Sequence, residues 1–311
     1  MTSTIFIDGA AGTTGLEIRD RLANRSEFEL LVLGDDKRKD TGARREAINA
    51  CDVAILCLPD DAARESVALI DNPATRVIDA STAHRVADGW AYGFPELVGR
   101  KTVASARFVA NPGCYPTGFL ALVAPLVRAG LLPADWPFTV NAVSGFSGGG
   151  NALIDRFEED RGIAWRGYGL AMGHKHLPEM QRYAGLAHPP VFAPAVVDAM
   201  RGMAVEVPLP LSAIGGAGSV GDLRDALAEF YAGSAIVTVD TSDEAPAELL
   251  LRKDAAPWDG MKLAVYGSAD GSQARLVALL DNLGKGASGA AVQSLNLMCG
   301  LPEETGLSLS A

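Results

Sequence analysis

Short apolar runs alternate with helix-like segments through the first third of the chain. The runs at residues 5–7, 30–33, 53–58, 77–80 and 103–110 are predicted to be strands, and residues 13–23 and 44–50 to be helices. Strands that alternate with helices are typical of βαβ units on a parallel sheet. We therefore expect an α/β domain with a parallel sheet in this part of the chain.

The pattern changes after residue 113. A helix is predicted over residues 117–132, followed by longer alternating strands at residues 138–143, 235–239, 262–266 and 275–280. The glycine-rich residues 147–150 and 215–218 are predicted to be tight loops. A last apolar helix over residues 289–298 is expected to pack back on the first domain. The sequence thus predicts an α/β fold with domains at residues 1–113 and 114–284 and a returning C-terminal segment at residues 285–311.

The chain has 311 residues and a formal net charge of −11, with its basic residues scattered along it. Such a charge disfavours nucleic acid and anionic membranes as partners, so a phosphorylated substrate would need a local basic pocket. No apolar run approaches the roughly 18 to 20 residues that span a bilayer. We expect a cytoplasmic protein that binds neither membranes nor nucleic acid.

The four cysteines show no CxxC spacing, which indicates a reducing compartment and no disulfide framework. Cys51, Cys57 and Cys299 lie in or beside apolar segments. Because free cysteine is among the most buried residue types, these three are expected to be core residues.

A glycine-rich turn follows the first strand directly and opens the first helix. In this context glycines let the backbone approach a pyrophosphate at a helix N-terminus, as in a Rossmann-like dinucleotide-binding domain. The spacing Gly-x-x-Gly-x-x-Gly differs from the common fingerprint, and a plain tight turn is the alternative interpretation. The candidate cofactor residues are Gly9, Gly12, Thr13, Thr14 and Gly15.

The loop after the second predicted strand contains both acidic and basic side chains. An acidic residue there binds a ribose 2′-hydroxyl, and a basic residue binds a 2′-phosphate. Lys37 and Arg38 favour NADP or NADPH as the cofactor, whereas Asp35 leaves NAD open. A solvated charged loop is the alternative interpretation.

Cys114 is the candidate nucleophile. Pro116 suits the first turn of a helix, because its missing N–H would have no partner there. Cys114 is therefore expected just ahead of a helix N-terminus, where the helix dipole and free N–H groups favour the reactive thiolate. A buried structural cysteine is the alternative.

His174 and His176 are the candidate acid/base residues. They would share one face if their segment were extended, and a helix is expected to start at Pro178. A cysteine with a histidine distant in sequence is the arrangement expected of a thiol enzyme. No cysteine or carboxylate cluster completes a metal site around His-x-His, so we expect no metal.

Seven blocks of the sequence, in this order along the chain, resemble the N-acetyl-gamma-glutamyl-phosphate reductase family, and specifically its shorter branch. They are residues 9–15, 79–85, 92–96, 112–117, 144–148, 174–179 and 281–287. The Pro-Gly-Cys-Tyr-Pro-Thr block is the most specific, and the family's nucleophile falls on Cys114. The chain departs from longer members at His84, where they usually carry an aromatic residue, and in its trimmed first-domain loops.

The resemblance implies a semialdehyde-dehydrogenase-like fold, with an NADP-binding domain and a mixed α+β catalytic and dimerisation domain. It implies that the chain is an oxidoreductase of arginine biosynthesis that forms a homo-oligomer, a dimer or a tetramer. The implied reaction is the NADPH-dependent reduction of a small acyl phosphate, N-acetyl-L-glutamyl 5-phosphate, to N-acetyl-L-glutamate 5-semialdehyde. Phosphate would be released as a thioester forms on Cys114, with His176, or else His174, as acid/base.

The same resemblance implies further site residues. Arg85 would bind the substrate phosphate or carboxylate, since a planar guanidinium can bind either group through two hydrogen bonds. The other implied substrate-binding residues are Ser81, Ser144, Lys175 and Glu179. The other implied cofactor-binding residues are Ser81, Asn282, Lys285 and Gly286.

Two other functions stay open at this point. An aspartate-semialdehyde dehydrogenase uses the same covalent mechanism on a shorter acyl phosphate. Its nucleophile usually follows Asn, however, and here Gly113 precedes Cys114. A catalytically silent NADP-binding sensor is the other possibility, because a fold does not dictate a function.

Overall fold

The computed structural model describes residues 2–242 and 244–310. The chain divides into two units. The first comprises the residues up to Gly113 together with Ala287–Leu307, and the second comprises Cys114–Gly286 together with the residues from Ser308 on.

The first unit is built on a parallel sheet whose strands follow the order β2-β1-β3-β4-β6-β5. Its strands are β1 (Ser3–Asp8), β2 (Phe28–Leu31), β3 (Val53–Leu56), β4 (Arg76–Asp79), β5 (Ala91–Tyr92) and β6 (Phe108–Ala110). Its helices, numbered along the whole chain, are α1 (Thr13–Leu22), α2 (Thr41–Ala50), α3 (Asp60–Ala68), α4 (Pro95–Val98), α5 (Arg100–Ser105) and α10 (Gly289–Met298).

Continuous apolar runs form the centre of this sheet. All four residues of β3 are buried, as expected of a parallel strand that is covered on both faces. One face packs against Ala291, Val292 and Leu295 of α10 in a single hydrophobic cluster. The predicted parallel sheet and the return of the C-terminal helix to it are therefore both present.

The predicted strand at residues 103–110 is wrong in its first half, because Val103 lies in α5 and the strand begins at Phe108. Val103 is fully buried in the cluster that contains α10, while the neighbouring Arg100 and Lys101 are exposed. A short apolar run does not distinguish a strand from a helix that contributes one side chain to the core.

The second unit combines a mixed sheet with helices. Its strands are β7 (Thr139–Gly145), β8 (Trp165–Gly167), β9 (Val191–Val197), β10 (Met203–Leu209), β11 (Val237–Val239), β12 (Met261–Gly267) and β13 (Ala274–Leu280). Its helices are α6 (Cys114–Arg128), α7 (Asn151–Glu159), α8 (Leu177–Ala184) and α9 (Val220–Phe230). The sheet order is β11-β12-β13-β10-β7-β9-β8, with parallel pairing for β11–β12 and β7–β9. This is the mixed α+β arrangement that the sequence predicts.

Helix α6 is the core element of the second unit. Its residues from Tyr115 to Leu126 are all buried, as expected of a helix that is hydrophobic on every side. Gly118 allows α6 to lie close to β10, because a Cβ at this position would come within 2.7 Å of the Val205 side chain. The predicted helix over residues 117–132 thus begins earlier, at Cys114, and ends at Arg128.

Smaller predictions have mixed outcomes. Residues 215–218 form the expected loop, but Phe146–Gly149 form a 3₁₀ turn that occupies most of the predicted loop at residues 147–150. Cys51 is buried as expected, whereas Cys57 and Cys299 are only half-buried. Burial raises the pKa of the Cys51 thiol to about 11, and it also raises the pKa of Cys299.

No helix among residues 2–242 and 244–310 is long and apolar enough to cross a membrane.

The turn between β1 and α1 depends on Gly9. Its φ is +89°, and a Cβ there would come within 2.3 Å of the Cys57 carbonyl oxygen. Gly12, by contrast, has φ −81° at the N-cap of α1, and a Cβ there would meet only the Gly9 carbonyl oxygen at 3.7 Å. Only the first position therefore requires glycine for both backbone and steric reasons.

We predict that Gly9→Ser lowers the free energy of unfolding of the cofactor-free protein by about 2 kcal/mol or more, because a side chain there is both strained and crowded. The matched control Gly12→Ser should stay within about 0.5 kcal/mol of the parent protein, since serine is a favourable N-cap residue. Urea unfolding measures both values. Equal stability of the two variants would contradict this account of the turn.

Candidate active site

Cys114 is the first residue of α6, whereas the sequence predicted it just ahead of the helix. The first residues of a helix lie at the positive end of its dipole, where an anion such as a thiolate is stabilised. Gly286 lies directly against it, because a Cβ at residue 286 would come within 2.9 Å of the Cys114 Cβ. The candidate nucleophile is thus the first residue of α6 and packs against Gly286 of the π-helical turn at Gly284–Ser288.

The two histidines lie in a turn ahead of α8 and not in an extended segment. Their rings are nevertheless close, with centroids 4.6 Å apart. Tyr115, the residue after Cys114, lies 6.3 Å from the His174 ring and 6.0 Å from the His176 ring. The structure therefore brings both histidines to the first turn of the helix that begins with Cys114.

The surroundings of His174 favour its neutral form. Burial, and after it the charge of Lys175, lowers the pKa of His174 to about 4. The backbone N–H of His176 donates to its Nδ1 at 3.2 Å, which requires that this nitrogen carry no proton. His174 is therefore a poor proton donor near neutral pH and acts in shaping the turn.

His176 is buried and lies beside a carboxylate. Its Nε2 is 4.0 Å from Oε1 of Glu179, one turn further along in α8, and both side chains are less than a tenth exposed. A histidine next to a buried carboxylate can hold a proton and be oriented by its partner. Of the two candidate acid/base residues, His176 has the surroundings that suit proton transfer better.

Tyr115 anchors the same region. Its hydroxyl donates to the Ala195 carbonyl oxygen in β9 at 2.9 Å, and burial raises its pKa far above the usual value, so it stays neutral. Ser144 at the end of β7 hydrogen-bonds the Gly145 carbonyl at 3.0 Å and also contacts Tyr115. Ser144 therefore lies beside Tyr115, the residue that follows Cys114.

The first unit carries the candidate cofactor residues. Helix α1 begins after Gly12, which has no side chain to cap it, so the backbone N–H groups of its first turn face the side on which a phosphate would bind. Gly15 packs on the turn so closely that a Cβ would come within 2.4 Å of the Gly9 carbonyl oxygen. The residues at this turn, including Thr13 and Thr14, therefore fit a dinucleotide pyrophosphate.

A buried ion pair lies beneath this turn. Asp8, the last residue of β1, accepts two hydrogen bonds from Arg44 of α2, at 3.0 and 3.1 Å, and one from the Ser66 hydroxyl at 2.7 Å. The sequence analysis did not single out these residues. They fix the end of β1 from which the glycine-rich turn departs.

Lys37 and Arg38 lie in an exposed turn after β2. Arg38 forms an ion pair with Asp35 at 3.2 Å. Since exposed ion pairs contribute little free energy, this contact leaves Arg38 available to a 2′-phosphate. Arg38 and Asp35 therefore contact each other, and the binding of a 2′-phosphate by Lys37 and Arg38 stays a prediction.

The end of β4 forms a second ordered loop in the first unit. The Ser81 hydroxyl and backbone N–H both donate to buried Asp79, at 2.7 and 2.9 Å. The same carboxylate lies 2.6 Å from Nδ1 of His84, whose ring stacks on Trp90 at 4.1 Å. The orientation of Ser81 is thus set by Asp79 and, through it, by His84.

Arg85 is almost fully buried within the first unit and is not a surface residue. Its Nε donates to the Asn111 carbonyl oxygen at 2.9 Å, and its Nη2 donates to the Ala80 carbonyl oxygen at 3.1 Å. These bonds hold the loops at the ends of β4 and β6. A role for Arg85 in binding substrate stays a prediction.

Of the remaining predicted residues, Asn282 and Lys285 lie beside or in the turn that contacts Cys114, and Lys175 lies between the two histidines. Asn282 is buried, accepts from the Gly202 N–H at 3.0 Å and donates to Ser147 at 2.9 Å. Lys285 is also buried, whereas Lys175 is exposed. Asn282 therefore supports the turn from within the second unit, and the ligand-binding roles of these three residues stay predictions.

Two candidate residues escaped sequence reasoning. Tyr168 lies 5.6 Å from the His174 ring, and its pKa is raised to about 12, chiefly by burial. Asn111 is buried in the first unit, and its Oδ1 has no hydrogen-bond partner among the described residues. Neither stands in a pattern that predicts its neighbours, because both are placed by chain segments that are distant in sequence.

Within residues 2–242 and 244–310, no group of three or more His, Cys, Asp or Glu side chains is arranged to hold a metal ion.

Comparison with known families agrees with this division of the chain. Residues 4–106 match the NAD binding domain of semialdehyde dehydrogenase, and residues 114–282 match the semialdehyde dehydrogenase dimerisation domain. The predicted fold class, with a dinucleotide-binding domain and a mixed α+β domain, is confirmed.

Similar proteins cover nearly the full chain. A protein of Nostoc sp. named N-acetyl-gamma-glutamyl-phosphate reductase 2 is 50% identical over 97% of this chain and 98% of its own length. A protein of Brucella ovis named N-acetyl-gamma-glutamyl-phosphate reductase is 51% identical over 96% of this chain and 100% of its own length.

Solved structures share the fold at low sequence identity. An aspartate semialdehyde dehydrogenase II of Vibrio cholerae has a TM-score of 0.69 at 16% identity and covers 96% of this chain and 98% of its own. An aspartate semialdehyde dehydrogenase of Candida albicans, solved with NADP, has a TM-score of 0.66 at 14% identity over 96% of this chain and 98% of its own.

The low pKa of His174 makes stability depend on pH. The unfolded chain takes up a proton near pH 6.5, whereas the folded chain does so only near pH 4. Stability is therefore lost as the pH falls through this window. We predict that the parent protein loses about 1 kcal/mol more free energy of unfolding between pH 7 and pH 5 than His174→Gln does, after allowing for solvent screening of the half-exposed ring.

Urea unfolding of the two proteins at both pH values measures this difference. The same loss in both proteins would show that His174 titrates normally in the folded state.

Proposed function

The chain belongs to the semialdehyde dehydrogenase family and, within it, to the N-acetyl-gamma-glutamyl-phosphate reductases, and on this premise we propose its reaction. It reduces N-acetyl-L-glutamyl 5-phosphate to N-acetyl-L-glutamate 5-semialdehyde with NADPH and releases phosphate, a step of arginine biosynthesis. The observation that carries this proposal is the 50% sequence identity, over 97% of this chain, to a protein named N-acetyl-gamma-glutamyl-phosphate reductase 2. The Pro-Gly-Cys-Tyr-Pro-Thr motif around Cys114 agrees with it.

Cys114 is the residue that carries the covalent step. Its sulfur attacks the acyl carbon, a C–S bond forms, and the bond from that carbon to the phosphate oxygen breaks. Inorganic phosphate leaves with the electron pair, and the acyl group remains as a thioester on Cys114. Backbone N–H groups at the start of α6 are in a position to stabilise the oxyanion that develops on the acyl oxygen.

His176 serves as the acid/base in this scheme. It takes the thiol proton from Cys114. After hydride transfer leaves the hemithioacetal as an alkoxide, His176 returns the proton to the departing sulfur, so that the C–S bond breaks, the aldehyde is released and the thiol is restored. Burial beside Glu179 supports this role. The depressed pKa of His174 argues against that residue as the donor.

The cofactor is held by residues of the first unit. The turn from Gly9 to Gly15 binds the pyrophosphate, and Lys37 and Arg38 bind the 2′-phosphate that distinguishes NADPH from NADH. Bound NADPH supplies the hydride that reduces the thioester. The turn that contains Gly286 adjoins Cys114, and a side chain at residue 286 would collide with Cys114.

A homo-oligomer, a dimer or a tetramer, belongs to the same proposal. The match of residues 114–282 to a dimerisation domain supports it. Half-exposed side chains on β10, β12 and β13, such as Glu206, Tyr266 and Leu279, leave one sheet face of the second unit for contact with another copy. The cytoplasmic location expected from the sequence stays a prediction.

The reaction is tested in the direction of phosphate-dependent oxidation. The purified protein should reduce NADP with N-acetylglutamate 5-semialdehyde and phosphate, with a far lower kcat/KM for aspartate 4-semialdehyde and for NAD. Cys114→Ala should lower turnover at least about a thousandfold and leave NADP(H) binding intact, because it removes only the nucleophile. Cys299→Ala, which removes a half-buried thiol of the first unit, is the matched control and should keep its turnover.

Three results would contradict the proposal. Preference for aspartate 4-semialdehyde would assign the shorter substrate. Appreciable turnover by Cys114→Ala would place the nucleophile elsewhere. NADP binding without turnover of either semialdehyde would indicate a silent sensor.

The histidine roles make a separate prediction. His176→Asn should lower kcat about a hundredfold or more, as expected for loss of a general acid/base, and His174→Asn should lower it much less. Single-turnover assays of phosphate release and of NADPH oxidation separate the two steps, and both should slow in His176→Asn. A larger defect in His174→Asn would reverse the two roles.

A further inference from the structure

Arg166 is a cation beside the catalytic cluster that the assigned chemistry does not use. It lies in the middle of β8, opposite Val196 of the neighbouring β9. Its guanidinium carbon lies 4.6 Å from the centroid of the Tyr168 ring, so the guanidinium lies over the aromatic face. This stacking holds the flat, charged end of the side chain in one place.

The described residues provide no carboxylate partner for Arg166. Over the part of the chain that the structure describes, no Asp or Glu carboxylate lies within ion-pair distance of its guanidinium, although the residue is half-buried. Two other arginines of the same unit, Arg201 and Arg275, form ion pairs with Asp281 and Glu206 at 2.9 and 2.6 Å. A half-buried, unneutralised cation is the arrangement expected of a receptor for an anionic ligand.

Arg166 also belongs to the surroundings of the nucleophile. The ring under its guanidinium, Tyr168, lies 5.6 Å from the His174 ring. Burial raises the pKa of Tyr168 to about 12, and the nearby charges of Cys114 and Arg166 act on that hydroxyl in opposite directions. Tyr168 therefore has the reactive sulfur and the guanidinium as neighbours.

We propose that Arg166 binds an oxyanion of the substrate, either its phosphate or its α-carboxylate, while Cys114 attacks the acyl carbon. This inference rests on the proposed function. The chain carries a net charge of −11, so a substrate with two anionic groups, a phosphate and an α-carboxylate, needs a local cation where it reacts. Arg85, the arginine that the family resemblance suggests, already donates to the carbonyl oxygens of Asn111 and Ala80.

The oxidation direction separates the two anionic groups, because phosphate and the semialdehyde are then different substrates. Arg166→Gln removes the charge and keeps a side chain of similar shape. It should raise one KM about 10- to 100-fold, the loss expected for a charge-assisted hydrogen-bond pair, with kcat changed much less. A higher KM for phosphate identifies the phosphate as the bound group, and a higher KM for the semialdehyde identifies the α-carboxylate.

Two further variants complete the test. Arg166→Lys should recover part of the lost affinity, because it restores the charge without the paired donors. Arg161→Gln removes an exposed arginine of the same segment and should leave both KM values unchanged.

The proposal is overturned if Arg166→Gln and Arg161→Gln have the same KM values, or if kcat alone falls. It is also overturned if both KM values rise and Arg166→Lys recovers neither, because that pattern indicates general damage. Absence of turnover by the parent protein would instead reject the proposed function. The two failures are therefore distinguishable.

Discussion

The packing of α6 into the core of the second unit determines where the Cys114 sulfur lies. The helix is buried from Tyr115 to Leu126. Gly118, one turn after Cys114, lets the helix lie close to β10, because a Cβ at this position would collide with the Val205 side chain. At its N-terminus, Cys114 packs against Gly286, because a Cβ at residue 286 would come within 2.9 Å of the Cys114 Cβ. A nucleophile held in this way keeps its geometry without a flexible loop, and orientation of a reacting group contributes strongly to rate.

The two histidines near Cys114 differ in their surroundings. His174 and His176 are two positions apart and their rings are 4.6 Å from each other, yet among the described residues only His176 has a buried carboxylate within ion-pair distance. Burial and the neighbouring Lys175 keep His174 neutral. The same unit supplies the Tyr115 hydroxyl as a fixed, neutral anchor and the Tyr168 ring as a platform for Arg166. Environment thus divides similar side chains into separate roles.

Much of the fold could be predicted from the sequence because its signals are local. The apolar run of β3, the glycine-rich turn and the proline in the first turn of α6 each report on a few neighbouring residues. The prediction was wrong at residues 103–105, where one buried valine in a short helix mimics the start of a strand. The sequence left the backbone conformation of the histidine segment open, and the structure places both rings in a turn.

The sequence by itself determined the fold class and the family, and it singled out Cys114 as the candidate nucleophile and residues 9–15 as the candidate cofactor-binding turn, because each is encoded in contiguous motifs. Only the tertiary structure decided that Arg85 bonds to backbone carbonyls, that His176 and not His174 lies beside a buried carboxylate, and that Arg166 stacks on Tyr168 without a carboxylate partner among the described residues. Hydrogen-bond partners, burial and charge neighbours come from segments that are far apart along the chain. Their effect on a side chain therefore exists only once those segments pack together.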